Sequence, residues 1–325
     1  MPVPAEPRQR VVVAGEALVD LIAGGPGTAA GSALTAVPGG GPYNVARAVA
    51  RLGVPTSFLG ALSTDRFGLL LHDTLVGDGV DVSLAPRVAQ PTTLALAELD
   101  SSGAATYQFY LEGTSATVLD RTDAEAVRRN PPAALHVGTL GLVLAPIADV
   151  LAELVTELPR GVLVLADPNC RPGVIGSGDL ERAYRLRLDA VLDRADVVKV
   201  STEDLGYLVP GVAPMAAAAL IRRRHQVVLV TDGARAVVAV HPGGELVVPV
   251  PAVRVVDTVG AGDTFGGAFL AGWVTAGLGR AQLADVTMLG TALRRAVQAA
   301  ALACTRAGAQ PPTAAELGRC PAAPW

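Results

Sequence analysis

The chain has 325 residues, half of them apolar, with a mean hydropathy of +0.42 and a net charge of −4. That content can bury a large core, in one α/β domain or two smaller ones, and no Lys/Arg block marks a nucleic-acid footprint. No run of about 18 apolar residues occurs, which excludes a membrane-spanning helix.

Short apolar runs at Val11–Ala14, Ser57–Ala61, Ala134–Val137, Val162–Ala166, Val197–Val200 and Val227–Val230 read as strands buried on both faces. Between several of them lie helical patterns. Pro42–Leu52 puts Val45, Val49 and Leu52 on one face, with Gly53 as a stop and Pro55 beyond. Strand alternating with helix implies a mostly parallel sheet covered on both sides. Ligands of such sheets sit beyond the carboxyl ends of the strands.

Two segments break the rhythm. Gly24–Val37 is Gly/Ala-rich without helical period, and Thr92–Tyr110 alternates around a turn at Asp100–Gly103, which predicts a hairpin. A small sheet standing off the main one would serve as a lid. The expected organisation is one domain over residues 1–325, with lid excursions near 17–37 and 92–112.

The cysteines, Cys170, Cys304 and Cys320, are sparse and irregularly spaced. They argue for a reducing compartment and against a disulfide framework. The opening segment MPVPAEPRQR has neither signal-peptide nor anchor character, so a cytoplasmic location is expected. The histidines His72, His136, His225 and His241 lack metal spacing, and His136 reads as a satisfied core residue. Arg222–Arg224 reads as a solvated helix end.

The sharpest motif is Asp257-Thr-Val-Gly-Ala-Gly-Asp-Thr-Phe265. Gly260, Ala261 and Gly262 are small enough for their amides to converge on an anion, and the stretch from Thr264 to Ala276 predicts a helix opening at that loop. Asp263 beside such a site suits a general base that takes a proton from an attacking hydroxyl. The other reading is a Gly-rich turn with Asp263 as an ordinary N-cap. The Walker pattern is absent, because Lys199, the only lysine, does not follow a glycine. The dinucleotide pattern fails too, since its last glycine would fall on Phe265 or Asn44.

A second motif is Pro38-Gly-Gly-Gly-Pro-Tyr-Asn44, leading to Arg51-Leu-Gly53. Its glycines permit close backbone approach to a ligand, and Asn44 offers both a donor and an acceptor to sugar hydroxyls. The alternative is a loop-to-helix junction packed on the sheet. A third, Asp167-Pro-Asn-Cys-Arg171, ends a buried strand. With lysine nearly absent, Arg171 is the candidate phosphate clamp.

Together these segments resemble the paired signatures of the ribokinase/PfkB family of carbohydrate kinases, its fructokinase-like branch in particular. Gly60–Gly68, Thr231-Asp-Gly233 and Cys304–Pro311 resemble further family blocks, so the likeness runs from about Val11 to about Thr313. It implies a three-layer α/β/α sandwich with a small β lid, and transfer of the γ-phosphoryl of Mg²⁺–ATP to a hydroxymethyl group of a sugar. By resemblance Asp263 is the base, Gly260–Gly262 the anion hole, and Asp20, Gly39, Gly40 and Asn44 hold the sugar. Lys199, Ser201, Thr231, Gly233 and Gly308 lie along the nucleotide. Lys199–Asp204 resembles an Asn-x-x-Glu block in which Ser201 replaces the Asn and Asp204 the Glu, so Asp204 reaches Mg²⁺ through water or else caps a helix. Asp257, with the Gly308 region, resembles a K⁺ site.

The lid separates neutral from acidic sugars. Phe109-Tyr110-Leu111-Glu112 stands where a Tyr-Tyr-Arg stretch binds a carboxylate in ketodeoxygluconate kinases, and Leu111 and Glu112 disfavour that ligand. Fructose is therefore the expected acceptor, covered by Phe109 and Tyr110, unless these two form a hairpin core. Ketodeoxygluconate, ribose or nucleoside kinases are the alternatives, as is a non-catalytic binder of sugar or nucleotide. An exposed lid edge is able to pair two copies into a homodimer.

Overall fold

The computed structural model describes residues 9–23, 33–99, 105–223 and 226–319. Arg224, His225, Cys320, the Asp100–Gly103 turn and most of the Gly24–Val37 stretch fall outside these.

The main sheet has nine strands. Across it they run Gly244–Val248, Val237–His241, Val227–Thr231, Val197–Ser201, Leu163–Asp167, Ala134–Gly138, Val11–Ala14, Thr56–Leu59 and Val80–Asp81. The seven from Val227–Thr231 to Val80–Asp81 are parallel, and Val237–His241 and Gly244–Val248 fold back antiparallel at one edge. The expected run Ser57–Ala61 pairs as Thr56–Leu59, stopping before Gly60.

Alternation within each strand feeds two cores. Val11, Val13, Leu163 and Leu165 face one layer, where the helices Gly41–Arg51 and Ala261–Thr275 pack. Val12, Ala14, Val164 and Ala166 face the other, against Ile147–Glu157 and Asp179–Arg194. This is the α/β/α sandwich expected from strands buried on both faces. The first strand, Val11–Ala14, lies inside the sheet, with the chain running to one side as far as Val80 and to the other from Ala134. The crevice at this switch, beyond the carboxyl ends, is where such a fold binds ligands.

The lid is a four-stranded sheet in the order Leu34–Gly39, Leu18–Ala23, Leu94–Leu99, Ala105–Tyr110. The predicted hairpin pairs Leu94 with Tyr110 and Leu99 with Ala105. The end of the Gly24–Val37 stretch, read as lacking helical period, is strand: Leu34–Gly39 pairs antiparallel with Leu18–Ala23. Partnering by an adjacent strand overrode its weak local pattern. Leu18, Ala95 and Leu140, with Phe109 and Leu111, pack the lid onto the body.

Candidate active site

The helix of the Asp257 motif starts at Ala261, earlier than the expected Thr264. Gly260 is its N-cap at φ +72°, and its carbonyl already accepts from the Thr264 amide at 2.8 Å. Asp263 is therefore inside the first turn and not the cap, where the helix dipole favours a carboxylate. First-turn amides lack helical partners. That of Ala261 is spent on the Thr258 carbonyl at 3.2 Å, so within Gly260–Gly262 the glycine amides are the ones an anion can use.

Asp263 is buried, and Asn44 Nδ2 donates to its Oδ2 at 2.9 Å. Burial pushes the Asp263 pKa up; the Asn44 hydrogen bond and then the Lys199 and Arg171 charges pull against it. Asn44 sits on the first turns of Gly41–Arg51, whose N-cap Gly40 takes φ +108°. Asn44 lines the cavity, and its other amide atom, Oδ1, is buried without a partner among the described residues.

Asp20 comes from the lid strand Leu18–Ala23. Gly39, on the neighbouring strand, makes room for it: a Cβ there would stand 2.2 Å from Asp20 Oδ2. Burial, and then the charge of Asp263, push Asp20 up to about 6, against the pull of Arg171. Arg171 Nη1 donates to Asn169 Oδ1 at 2.7 Å and to the Cys170 carbonyl at 3.1 Å. Asn169 holds φ +37° and reaches Thr139 Oγ1 through Nδ2 at 3.3 Å.

These groups face one cavity of about 670 Å³. Asp20, Gly40, Asn44 and Phe109 line its lid side; Arg171, Lys199, Ser201 and Asp204 line the sheet edge. Thr231, Gly233, Gly260, Gly262 and Asp263 complete the wall. Five residues named from sequence are not in it: Gly39, Tyr110, Ala261, Asp257 and Gly308. Tyr110 stands on the opposite face of its strand from Phe109, because successive strand residues alternate. Tyr107 lines the cavity instead and stacks on Phe109, ring centroids 6.1 Å apart. Asp257 and Gly308 do meet: the Gly308 amide donates to Asp257 Oδ2 at 2.7 Å, and that of Val259 to Oδ1 at 3.0 Å.

Asp204 does cap a helix. Ser201 and Asp204 form a capping box on Thr202–Leu208, and Asp204 Oδ1 accepts from the Cys170 amide at 2.6 Å. Its neighbour Glu203 is the acid exposed to the cavity. No cluster of three or more metal-ligating side chains occurs among the described residues. Glu203, Asp204 and Asp232 all line the cavity, but both Asp204 oxygens already accept, Oδ1 from the Cys170 amide and Oδ2 from the Ser201 amide and hydroxyl.

Sequence reasoning missed Glu16 and Thr139, which also line the cavity. Glu16 accepts from the Gly141 amide at 2.9 Å and the Gly41 amide at 3.3 Å, and burial pushes it up to about 8. Its signal was its place, an acid just past the carboxyl end of a buried strand. His136 is a core residue as expected, but neither ring nitrogen has a partner among the described residues, and burial lowers it to about 3. Cys170 is packed, its thiol pushed up to about 12 by burial. Arg223 is ion-paired with Asp189 and Asp193, not simply solvated.

A buried acid at a helix N-terminus, beside open amides and a polar cavity at the switch crevice, defines a phosphotransferase acting on an alcohol group. The model of the pfkB family carbohydrate kinases matches residues 8–316. The chain belongs to that family. It is similar to a fructokinase of Rhizobium leguminosarum bv. trifolii, 32% identical over 262 residues, covering 80% of this chain and 78% of the relative. The structure of a Xylella fastidiosa fructokinase with bound ATP matches with a TM-score of 0.85 at 30% identity, over 95% of this chain and 97% of the other. A Vibrio cholerae fructokinase with fructose, ADP and calcium matches with a TM-score of 0.77 at 27% identity, over 95% and 96%.

Proposed function

We propose that this carbohydrate kinase is a fructokinase that uses Mg²⁺–ATP. The observation that carries the sugar class is the lid's lack of cations: its four strands contain no Lys or Arg. Their contribution to the cavity is Leu18, Asp20, Tyr107 and Phe109. An acid sugar would meet Asp20 without a compensating lid charge. A neutral sugar finds an acceptor in Asp20, a polar neighbour in Asn44, and an apolar cover in Tyr107 and Phe109. The fructokinase relatives point to the same acceptor.

In this reading Asp263 takes the proton of the hydroxymethyl O–H. The freed oxygen bonds to the γ-phosphorus as the bond to the β,γ-bridging oxygen breaks, giving the sugar phosphate and ADP. Gly260 and Gly262 amides and Arg171 take up charge on the transferring group. Thr231 and Gly233 flank the nucleotide. Mg²⁺, when bound, would neutralise phosphate charge; Glu203 and Asp204 are the residues that would hold it, Asp204 through water. Asp257, tied to Gly308, marks a K⁺ site in the same proposal; equal rates in K⁺ and in a bulky organic cation would remove that part. The free thiols fit a cytoplasmic enzyme. The exposed outer strands of the lid, one carrying Leu34 and the other Tyr110, offer the edges through which a homodimer would form.

The test is ADP release from Mg²⁺–ATP with fructose, ribose, ketodeoxygluconate, adenosine and inosine. Fructose should give the dominant rate. A dominant ketodeoxygluconate rate would refute the charge argument. Silence with every acceptor would refute the assignment.

A further inference from the structure

Lys199 is the only lysine of the chain, and it is buried at the cavity wall. Its Nζ donates to Asp167 Oδ2 at 2.9 Å. On the other side lies Gly262: a Cβ at that position would stand 2.9 Å from Nζ and 3.6 Å from Cε. Gly262 has no left-handed φ to explain it. Its lack of a side chain leaves room for the ammonium, which a Cβ there would crowd. The motif thus has glycines for two different reasons, a left-handed cap at Gly260 and this close approach at Gly262.

We propose that Lys199 is a positioning residue for phosphoryl transfer: held by Asp167 behind Gly262, its ammonium supplies the fixed positive charge against which the Asp263 carboxylate and the glycine amides are set. The inference rests on the reading of Asp263 as base. Four groups act on the ammonium from the elements around it: Asp167 from Leu163–Asp167, His136 from Ala134–Gly138, Asp204 from Thr202–Leu208 and Asp263 from Ala261–Thr275. Burial opposes the charge, but the three carboxylates outweigh it and hold the lysine above its usual pKa. His136, neutral and buried, adds no competing cation. Asp263 in turn is acted on by Asn44, Lys199 and Arg171, with Asp20 and Asp167 as like-charged neighbours. Without Lys199, burial and the nearby carboxylates would push the base toward its protonated form. Removing the ammonium would also take from Asp167 its cation, with one carboxylate oxygen already lacking a partner among the described residues.

The experiment is the pH dependence of kcat at saturating fructose and Mg²⁺–ATP for the wild type, Lys199→Gln and the pair Lys199→Met with Asp167→Asn. Asp263→Asn is run in parallel, and thermal melts establish folding. The Gln variant keeps a donor for Asp167. The pair leaves no unpartnered buried charge, and is read if the Gln variant does not fold. The expected result is an acid limb moved up by about one pH unit. Turnover should then fall about tenfold below the limb and less above it, with ADP affinity by calorimetry changed less than about threefold. An unmoved limb in the folded variants, with Asp263→Asn inactive, overturns the role of Lys199 alone. An Asp263→Asn enzyme retaining a tenth of its turnover overturns the base reading and this inference with it.

Discussion

Asn44 and Asp263, 219 residues apart in the chain, are joined by a hydrogen bond of 2.9 Å from Nδ2 to Oδ2. The bond ties the first glycine motif to the last, because their two helices pack closely: a Cβ at Gly267 would stand 2.7 Å from that of Ala48. It orients the carboxylate proposed as the base, and Asn44 Oδ1, the acceptor of the same amide, is buried without a partner among the described residues. Asn44→Leu, which keeps the volume but removes both functions, should lower kcat/KM about 10–100-fold, the loss of a hydrogen bond to a charged group. Steady-state kinetics with fructose as varied substrate measures it; a loss below threefold would show the pair to be packing only.

Asp263→Asn keeps the shape of the side chain and removes the base. Turnover should fall by about 10²–10⁴, while calorimetry with Mg²⁺–ADP should give nearly wild-type affinity. A parallel collapse of nucleotide affinity would mean that Asp263 builds the site and does not act in it.

Gly39→Ala tests the sugar side. The new Cβ would sit 2.2 Å from Asp20 Oδ2, so the carboxylate must move. A displacement of about 1 Å in a binding group can cost about 10² in rate. The expected pattern is a KM for fructose raised at least about tenfold, with the KM for ATP little changed. Equal changes in both would indicate a lid disturbed as a whole.

The pH dependence follows from Asp20. With its pKa pushed up to about 6 by burial and by Asp263, it is a full acceptor only above that value. Its charge is lost as pH falls, so kcat/KM for fructose should decline as pH drops through about 6. The same limb should be absent in Asp20→Asn, whose activity is lower throughout. A limb retained there belongs to another group of the coupled set.

The parts of the fold legible in the sequence were those written in local pattern. Buried strands such as Val197–Val200 and Val227–Val230 showed as apolar runs, and the hairpin of Thr92–Tyr110 showed as alternation. The glycine-rich loops and Asp263 were visible because few residues other than glycine permit φ +72° at Gly260 or +108° at Gly40. Tyr107 was within reach too: it lies two residues from Phe109, so period two puts both on one face.

The sequence alone therefore determined the layered α/β class, the family and the residue types gathered at the strand ends. Local sterics and side-chain chemistry act through neighbours in the chain. Only the tertiary structure decided that Asp204 is engaged in a helix cap, that Tyr107 and not Tyr110 lines the cavity, that Gly39 makes room for Asp20, and that Lys199 fills the space beside Gly262. Each depends on which strand or helix end lies opposite, a pairing set by the packing of residues far apart in sequence.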